Sequence, residues 1–427
     1  MAVADSRARL YDDAWRRTQT ALSDLDSTYR SALVDLVRIP STLGNERLAQ
    51  EFIRDRAIAA GLETELWDVD PDALRLDPRF ALAYDGAELR PNVTGVVRGS
   101  GEGRSFALSG HIDVVSPEPV HLWRHDPWGG VVEAGRLYGR GALDMKGGLI
   151  AALHAIHAIH EAGVALRGDI FFESVIEEEC TGNGMLAARL RGEPVDAALI
   201  PEITQEEVHV ATVGVLWFEL SFRGRPGYVG RAQESINAVD LAIHAIDSLR
   251  DLPAELNSQL NHPLYADYPD ALTLNIGTIH AGDWPSNVPQ SCVVGVRCSF
   301  PPDWPAERAQ TVIEARIHSI SQAHPWLREN PPALRYHGFR AKGWSVGLDE
   351  PIVRLTASAY QAETGTDATV KPAFGTADAR YFGDAGTPAV YFGPAGGNMH
   401  APDEFVELQS VALVARVLAR VVLGWSF

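Results

Sequence analysis

The sequence predicts an α/β protein with a mostly parallel central sheet and flanking helices, interrupted by a smaller α+β unit. Three observations predict it. Between residues 104 and 200, short apolar runs alternate with helical spacing, the order expected of parallel strands crossed by helices. From residue 213 the pattern becomes V-G-V-L-W-F-E-L-S-F-R-G, which puts Leu216, Phe218 and Leu220 on one face of an antiparallel strand. With 427 residues, 46% of them hydrophobic, the chain can also fill more than one core, and global disorder is excluded.

Taken in order, residues 1–60 carry helical spacing with few turn signals. Residues 61–100 mix Pro, Gly and Asp and read as loops and short strands. A strand is expected at 105–109, a helix at 149–159, a β-rich run at 169–176 and a short buried strand at 197–200. After the strand at 213–224 come a helix over about 236–249, strands near 271–279 and 291–299, and a helix over about 305–322. That β-α-β-β-α order resembles a small ferredoxin-like unit. Residues 324–350, rich in Pro, Trp and Gly, read as the return linker, and the α/β style resumes near 351. The apolar C-terminal stretch 411–427 carries Arg416 and Arg420 four residues apart, so both charges share one face. It reads as a packed amphipathic helix rather than a membrane span.

Thirty-seven basic residues against 56 acidic ones give a net charge of −19. Nucleic acid and anionic membrane surfaces both need basic patches, so neither is expected as a partner. Cys180, Cys292 and Cys298 form an odd, sparse set, which is no disulfide framework and suits a reducing cytoplasm. The N-terminal residues hold no apolar core of a secretory signal, which again points to the cytoplasm.

The chemistry lies in acidic residues and histidines at expected strand ends. S-G-H-I-D-V-V holds His111 and Asp113; at i and i+2 of an extended segment, the carboxylate can hold the imidazole. G-R-G-A-L-D-M-K-G-G surrounds Asp144 with glycines that allow close backbone approach; it lacks the spacing of a phosphate-binding loop. S-V-I-E-E-E-C-T-G-N-G places Glu177, Glu178 and Glu179 after an apolar run, where they repel one another unless a cation or proton compensates. Consecutive side chains point in different directions, so one Glu can hold a metal while its neighbour faces a water as general base. Glu202 follows another apolar run, and His400 lies in the glycine-rich G-P-A-G-G-N-M-H-A-P-D-E-F. One cation rarely takes so many protein ligands, whereas two divalent cations sharing a carboxylate fit the set. Mixed nitrogen and oxygen ligation suits Zn, Co or Mn. His154, His157 and His160 lack the spacing of a helical metal motif and read as one helix face.

In number and order these motifs resemble the family of acetylornithine deacetylase, succinyl-diaminopimelate desuccinylase, aminoacylase and glutamate carboxypeptidase, co-catalytic metallopeptidases of amide bonds. The resemblance implies that His111 and Glu202 ligate one metal, Glu179 and His400 the other, and that Asp144 bridges both. It implies Glu178 as general base and Asp113 as the residue that orients His111. It implies a catalytic domain over 1–212 and 331–427, a lid over 213–330, and a homodimer formed through the lid. The activity implied is hydrolysis of a C–N bond in a small carboxylate-bearing substrate, first of all N-acyl amino acid deacylation. G-T-A-D-A-R resembles the family's substrate-carboxylate loop and offers Thr376 and Arg380, while W-P-S-N-V-P offers Asn287 in the lid. One departure stands out: G-R-P-G-Y-V-G carries Tyr228 where the family's lid carries an oxyanion-holding histidine. A phenol stays neutral at pH 7 but can donate one hydrogen bond. That departure motivates a second reading, an aminohydrolase removing an amino group from an aromatic or heterocyclic acid. An inactive metal-binding scaffold is a third, which the intact ligand set and Glu178 argue against.

Overall fold

Two separate apolar cores organise the chain, one spanning residues from both ends of the sequence and one confined to residues 211–341. The computed structural model describes residues 2–82 and 89–426. The stretch 83–88, part of the segment read as loops and short strands, lies outside the described residues.

The chain opens with helix α1 (Ala2–Val37). It then forms strands β1 (Glu63–Val69), β2 (Arg90–Val97) and β3 (Phe106–His111), helix α2 (Gly147–Glu161), and strands β4 (Ile170–Val175), β5 (Ala198–Ile200) and β6 (Val208–His209). The smaller unit follows: β7 (Gly214–Arg223), α3 (Ala238–Leu249), β8 (Leu274–Ala281), β9 (Ser291–Phe300), α4 (Ala306–Ala323) and β10 (Ala333–Ala341). The main domain resumes with α5 (Pro351–Thr364), β11 (Val370–Lys371), β12 (Ala389–Tyr391) and α6 (Leu408–Ser426).

The main sheet runs β1-β2-β4-β3-β5-β12-β6-β11. Its centre, β4-β3-β5-β12, is parallel as expected, and the near-continuous apolar sequence of β3 reflects burial on both faces. β1 and β2 join antiparallel at one edge, so the whole sheet is mixed. These are two of the short strands expected, with loops, over 61–100. Pro91 is tolerated in β2 because pairing with β4 begins only at Val93.

Helix α2 is apolar almost all round and is packed by α1 and α6. Two of its three histidines, His154 and His157, contact Tyr29 of α1. His154 stacks on Tyr29 with ring centroids 4.6 Å apart and donates from Nε2 to the Leu22 carbonyl at 2.9 Å. Helix α6 is long and apolar enough to cross a membrane, yet most of it is buried in the main core. Arg416 and Arg420 indeed share a face, and both grip Glu363 of α5, at 2.8 and 2.6 Å.

The smaller sheet runs β8-β9-β7-β10, antiparallel throughout, with α3 and α4 packed against it. The residues of β7 expected to be buried, Leu216, Phe218 and Leu220, lie in its core. The fourth strand corrects the expected boundary at 330. Residues 333–341, read as linker, pair with β7 and complete the ferredoxin-like β-α-β-β-α-β order. Gly338 hides this strand in the sequence. It sits at φ +64°, the register with β7 shifts beside it, and a Cβ there would lie 2.4 Å from the Trp217 ring. The chain enters and leaves this unit through one short ribbon, Ala211 and Thr212 pairing with Ser345 and Trp344.

Candidate metal centre

Three neighbouring parallel strands deliver side chains to one end of the main sheet. His111 is the last residue of β3, Glu177 to Glu179 follow β4, and Glu202 follows β5. The space beyond the carboxyl ends of parallel strands is where open α/β sheets bind ligands. Helix α2 approaches this end closely because residue 148 is glycine. A Cβ there would lie 1.8 Å from the Pro201 carbonyl oxygen, next to Glu202.

Asp144 lies at the centre. Its Oδ1 is 3.1 Å from His111 Nε2 and its Oδ2 is 3.0 Å from His400 Nε2. Glu202 Oε1 lies 3.5 Å from His111 Nε2, and Glu179 Oε2 lies 3.2 Å from His400 Nε2. Two triads result, His111–Asp144–Glu202 and Asp144–Glu179–His400, each with its potential ligand atoms within 4.8 Å of one another. They share Asp144, the arrangement expected for two cations bridged by one carboxylate.

Asp113 acts differently from the expected imidazole partner. His111 Nδ1 donates to the backbone carbonyl of Asp113 at 2.9 Å, while the Asp113 carboxylate lies 3.6 Å away. That donation fixes the ring and leaves Nε2 as the ligand atom. The carboxylate itself accepts the amides of Glu178 and Glu179, each at 3.1 Å.

The three consecutive glutamates divide their work. Glu177, at φ +63°, turns away and is bound by Arg90, by Thr181 Oγ1 at 2.6 Å and by Asn183 Nδ2 at 2.9 Å. Glu178 and Glu179 turn inward, and Oε1 of each is buried without a hydrogen-bond partner.

The electrostatics of the centre follow from its burial and its crowded acids. Burial drives Glu178 well above the usual carboxylate range, raises Glu179, and brings Glu202 to about 8. Burial alone would lower His400, but Glu179 and Asp144 together raise it to about 11. His111 is likewise held well above its usual value by Glu202 and Asp144 against the effect of burial. Burial would raise Asp144, but His111 and His400 hold it well below the usual range. Crowded carboxylates, orphaned buried oxygens and mixed nitrogen and oxygen donors together fit a pair of divalent cations.

The four residues expected to touch substrate fall in two places. Tyr228 and Asn287 pair directly across a two-stranded ribbon of the lid, where both are exposed. Asn287 Nδ2 reaches Asp283 at 3.3 Å, and neither side chain bonds the ligand residues among the described residues. Thr376 and Arg380 lie beside the glutamate turn, and Arg380 is engaged there. It is buried, and its donors go to Thr376 Oγ1 (3.3 Å), Ala377 O (2.9 Å), Thr181 O (3.2 Å) and Tyr381 Oη (3.3 Å). A guanidinium so committed holds the turn after Glu179.

Two residues of the centre went unmarked in the sequence. Asp378, between Thr376 and Arg380, is buried with neither carboxylate oxygen hydrogen-bonded, and burial brings it to about 6. Glu404 is fully buried and binds the Asp144 loop. Its only sequence signal is its place four residues after His400.

Comparison with known proteins agrees with this geometry. Residues 107–424 match the family described as Peptidase family M20/M25/M40. An N-formyl-4-amino-5-aminomethyl-2-methylpyrimidine deformylase of Halalkalibacterium halodurans is 25% identical, with 88% of each chain covered. A succinyl-diaminopimelate desuccinylase of Methylobacterium radiotolerans is 30% identical over 91% of this chain and 94% of its own. Among solved structures, the dipeptidase Dug1p of Saccharomyces cerevisiae shares the fold with a TM-score of 0.81 at 13% identity, covering 97% of this chain and 99% of its own.

Proposed function

The chain belongs to peptidase family M20/M25/M40, and from that premise we propose that it hydrolyses the amide bond of a small N-acyl substrate, an N-acyl amino acid first of all, with Glu178 as general base. The observation that carries this reading is the pair of triads sharing Asp144, with Glu178 beside them and its Oε1 unpartnered. Both curated relatives named above are amide hydrolases of small substrates by their names, one a deformylase and one a desuccinylase.

His111, Asp144 and Glu202 would hold one divalent cation and Asp144, Glu179 and His400 the other, with Zn, Mn or Co suited to these donors. When bound, such a pair lowers the pKa of a water and polarises the acyl carbonyl. Glu178 takes the proton of the attacking water and returns it to the leaving nitrogen. Asp113 and Arg380 keep the Glu178 turn in place from its two ends. From the lid, Tyr228 donates a single neutral hydrogen bond to the developing oxyanion, with Asn287 beside it.

We also read the protein as a homodimer joined through the lid. β8 is an edge strand with an exposed outer half, and Ile279 and Trp284 stand exposed along and just beyond it. Unprotected edges of this kind pair readily with a second chain.

The test is direct. Metal-loaded protein is incubated with N-formyl, N-acetyl and N-succinyl amines and amino acids, with and without EDTA, and masses are followed. EDTA-sensitive loss of the acyl group supports the reading. Release of ammonia from an added aminobenzoate-type acid, an amine-to-hydroxyl exchange with no acyl group lost from any N-acyl compound, overturns it in favour of an aminohydrolase acting on an aromatic or heterocyclic acid, the chemistry that Tyr228 in place of histidine would then mark.

A further inference from the structure

The metal ligands come from loops that are far apart in sequence, and two of them must be held at a fixed spacing. His400 lies in a loop of strained backbone: Asn398, His400 and Asp403 all have positive φ, near +58°. The flanking strands, Gly396–Gly397 and Phe405–Glu407, tie the ends of this loop to Arg136–Tyr138. Two consecutive carboxylates at the loop's end tie it further to the backbone around the metal centre. Asp403 Oδ1 accepts the amides of Arg124 and His125, at 2.8 and 3.2 Å. Glu404 Oε1 accepts the amides of Leu143 and Asp144, at 2.9 and 3.2 Å.

Glu404 is clamped on its other side as well. Its Oε2 receives Arg140 Nη1 at 2.5 Å, and Arg140 Nη2 reaches back to the Ala401 carbonyl at 3.4 Å. The Glu404 carbonyl accepts the Gly139 amide at 2.9 Å. Both side chains are almost completely buried. One carboxylate therefore bonds the backbone of the bridging ligand directly, and its ion-pair partner bonds the backbone next to His400. Charge-assisted bonds to backbone amides in a dry site are short and directional, and losing one partner leaves a buried charge uncompensated.

We propose that Glu404 is a positioning residue that sets the distance between Asp144 and His400, and through it the affinity of the second metal site. This rests on the di-metal reading above. The first site shares Asp144 but depends on Glu404 less, because its other two ligands, His111 and Glu202, are delivered by β3 and β5, and no hydrogen bond joins either to Glu404 or Arg140 among the described residues. The inference is thus a selective one: losing Glu404 weakens one equivalent of metal and spares the other.

Metal-free full-length protein is titrated with Zn2+ in a calorimeter, as wild type, Glu404→Gln and Glu404→Asp. The glutamine removes the charge facing Arg140; the aspartate keeps that charge but withdraws its reach by one methylene. Wild type takes up two equivalents. Each variant keeps the first at wild-type affinity and binds the second about 10–100-fold more weakly, as expected when a group supporting a ligand is lost. Glu173→Gln, which breaks the buried pair with Arg189 elsewhere in the sheet, leaves both equivalents in place. Two wild-type equivalents in both Glu404 variants overturn the proposal, as does parallel loss of both equivalents, which marks Glu404 as a residue of general stability. A wild type that takes up fewer than two equivalents overturns the di-metal reading itself.

Discussion

Asp113 carries Glu178 by its backbone: Asp113 Oδ1 accepts the Glu178 amide at 3.1 Å while Oδ2 accepts the Glu179 amide at the same distance. The same residue's carbonyl holds His111. One residue thus aligns His111 and the proposed general base, and its carboxylate bonds the backbone of the glutamate turn rather than the imidazole. Asp113→Asn exchanges one acceptor oxygen for an amide donor facing a backbone N–H. A fall of about 10–100-fold in kcat, with KM nearly unchanged, is expected in steady-state assays of the metal-loaded enzyme.

Glu178→Gln keeps the shape of the side chain and removes the base. Metal content, measured by mass spectrometry of the desalted protein, stays at the wild-type level, since Glu178 belongs to neither triad. The turnover rate falls by about 100–10,000-fold. Retained turnover would assign the proton transfer elsewhere.

Removal of metal exposes the mutual repulsion of Asp144, Glu178, Glu179 and Glu202. A ligand at 100 times its Kd stabilises the folded state by about 2.7 kcal/mol. In a chain of this size, with an unfolding entropy of about 2.1 cal/mol/K per residue, that corresponds to a Tm lower by roughly 3 °C in EDTA, read by differential scanning fluorimetry and reversed by added Zn2+.

His154 gives the fold a pH dependence of its own. Burial holds this histidine down at about 4, below its ordinary 6.5. The unfolded chain binds the proton first, so stability is full above about 6.5 and is lost as pH falls toward 4, by up to about 3 kcal/mol. His154→Gln should flatten the dependence of the urea midpoint on pH within that window.

Tyr228 is 71% exposed, so its loss should leave stability unchanged. If its hydroxyl serves the oxyanion, Tyr228→Phe lowers kcat by about 10–100-fold while Tm stays within a degree or so of wild type. An unchanged kcat makes Tyr228 a bystander of the lid surface.

Much of this centre could be read from residue types alone. His111, Asp144, Glu179, Glu202 and His400 converge as expected, because each follows a short apolar run or lies in a glycine-rich loop, and strand ends of a parallel sheet share one edge. What stayed hidden depends on what surrounds a side chain. That Arg380 bonds Thr181, Ala377 and Thr376 shows only in the fold. Glu404 and Asp378 look like ordinary acids in loops, and only full burial sets them apart. Strand β10 escaped because alternation over L-R-Y-H-G-F-R-A slips at Gly338, where the bulge moves the side chains beyond it to the other face.

The ribbon that joins Ala211 and Thr212 to Ser345 and Trp344 has a consequence for how such a protein is assembled. The two ends of the lid are neighbouring rungs of one antiparallel ladder, about 5 Å apart, a gap that a two-residue turn can close. No member of either metal triad comes from between them. In modular terms the lid is a cassette spliced into a hairpin. The body around it carries both metal triads, and exchange of the cassette changes what is presented to the substrate, Tyr228 included, without moving a ligand.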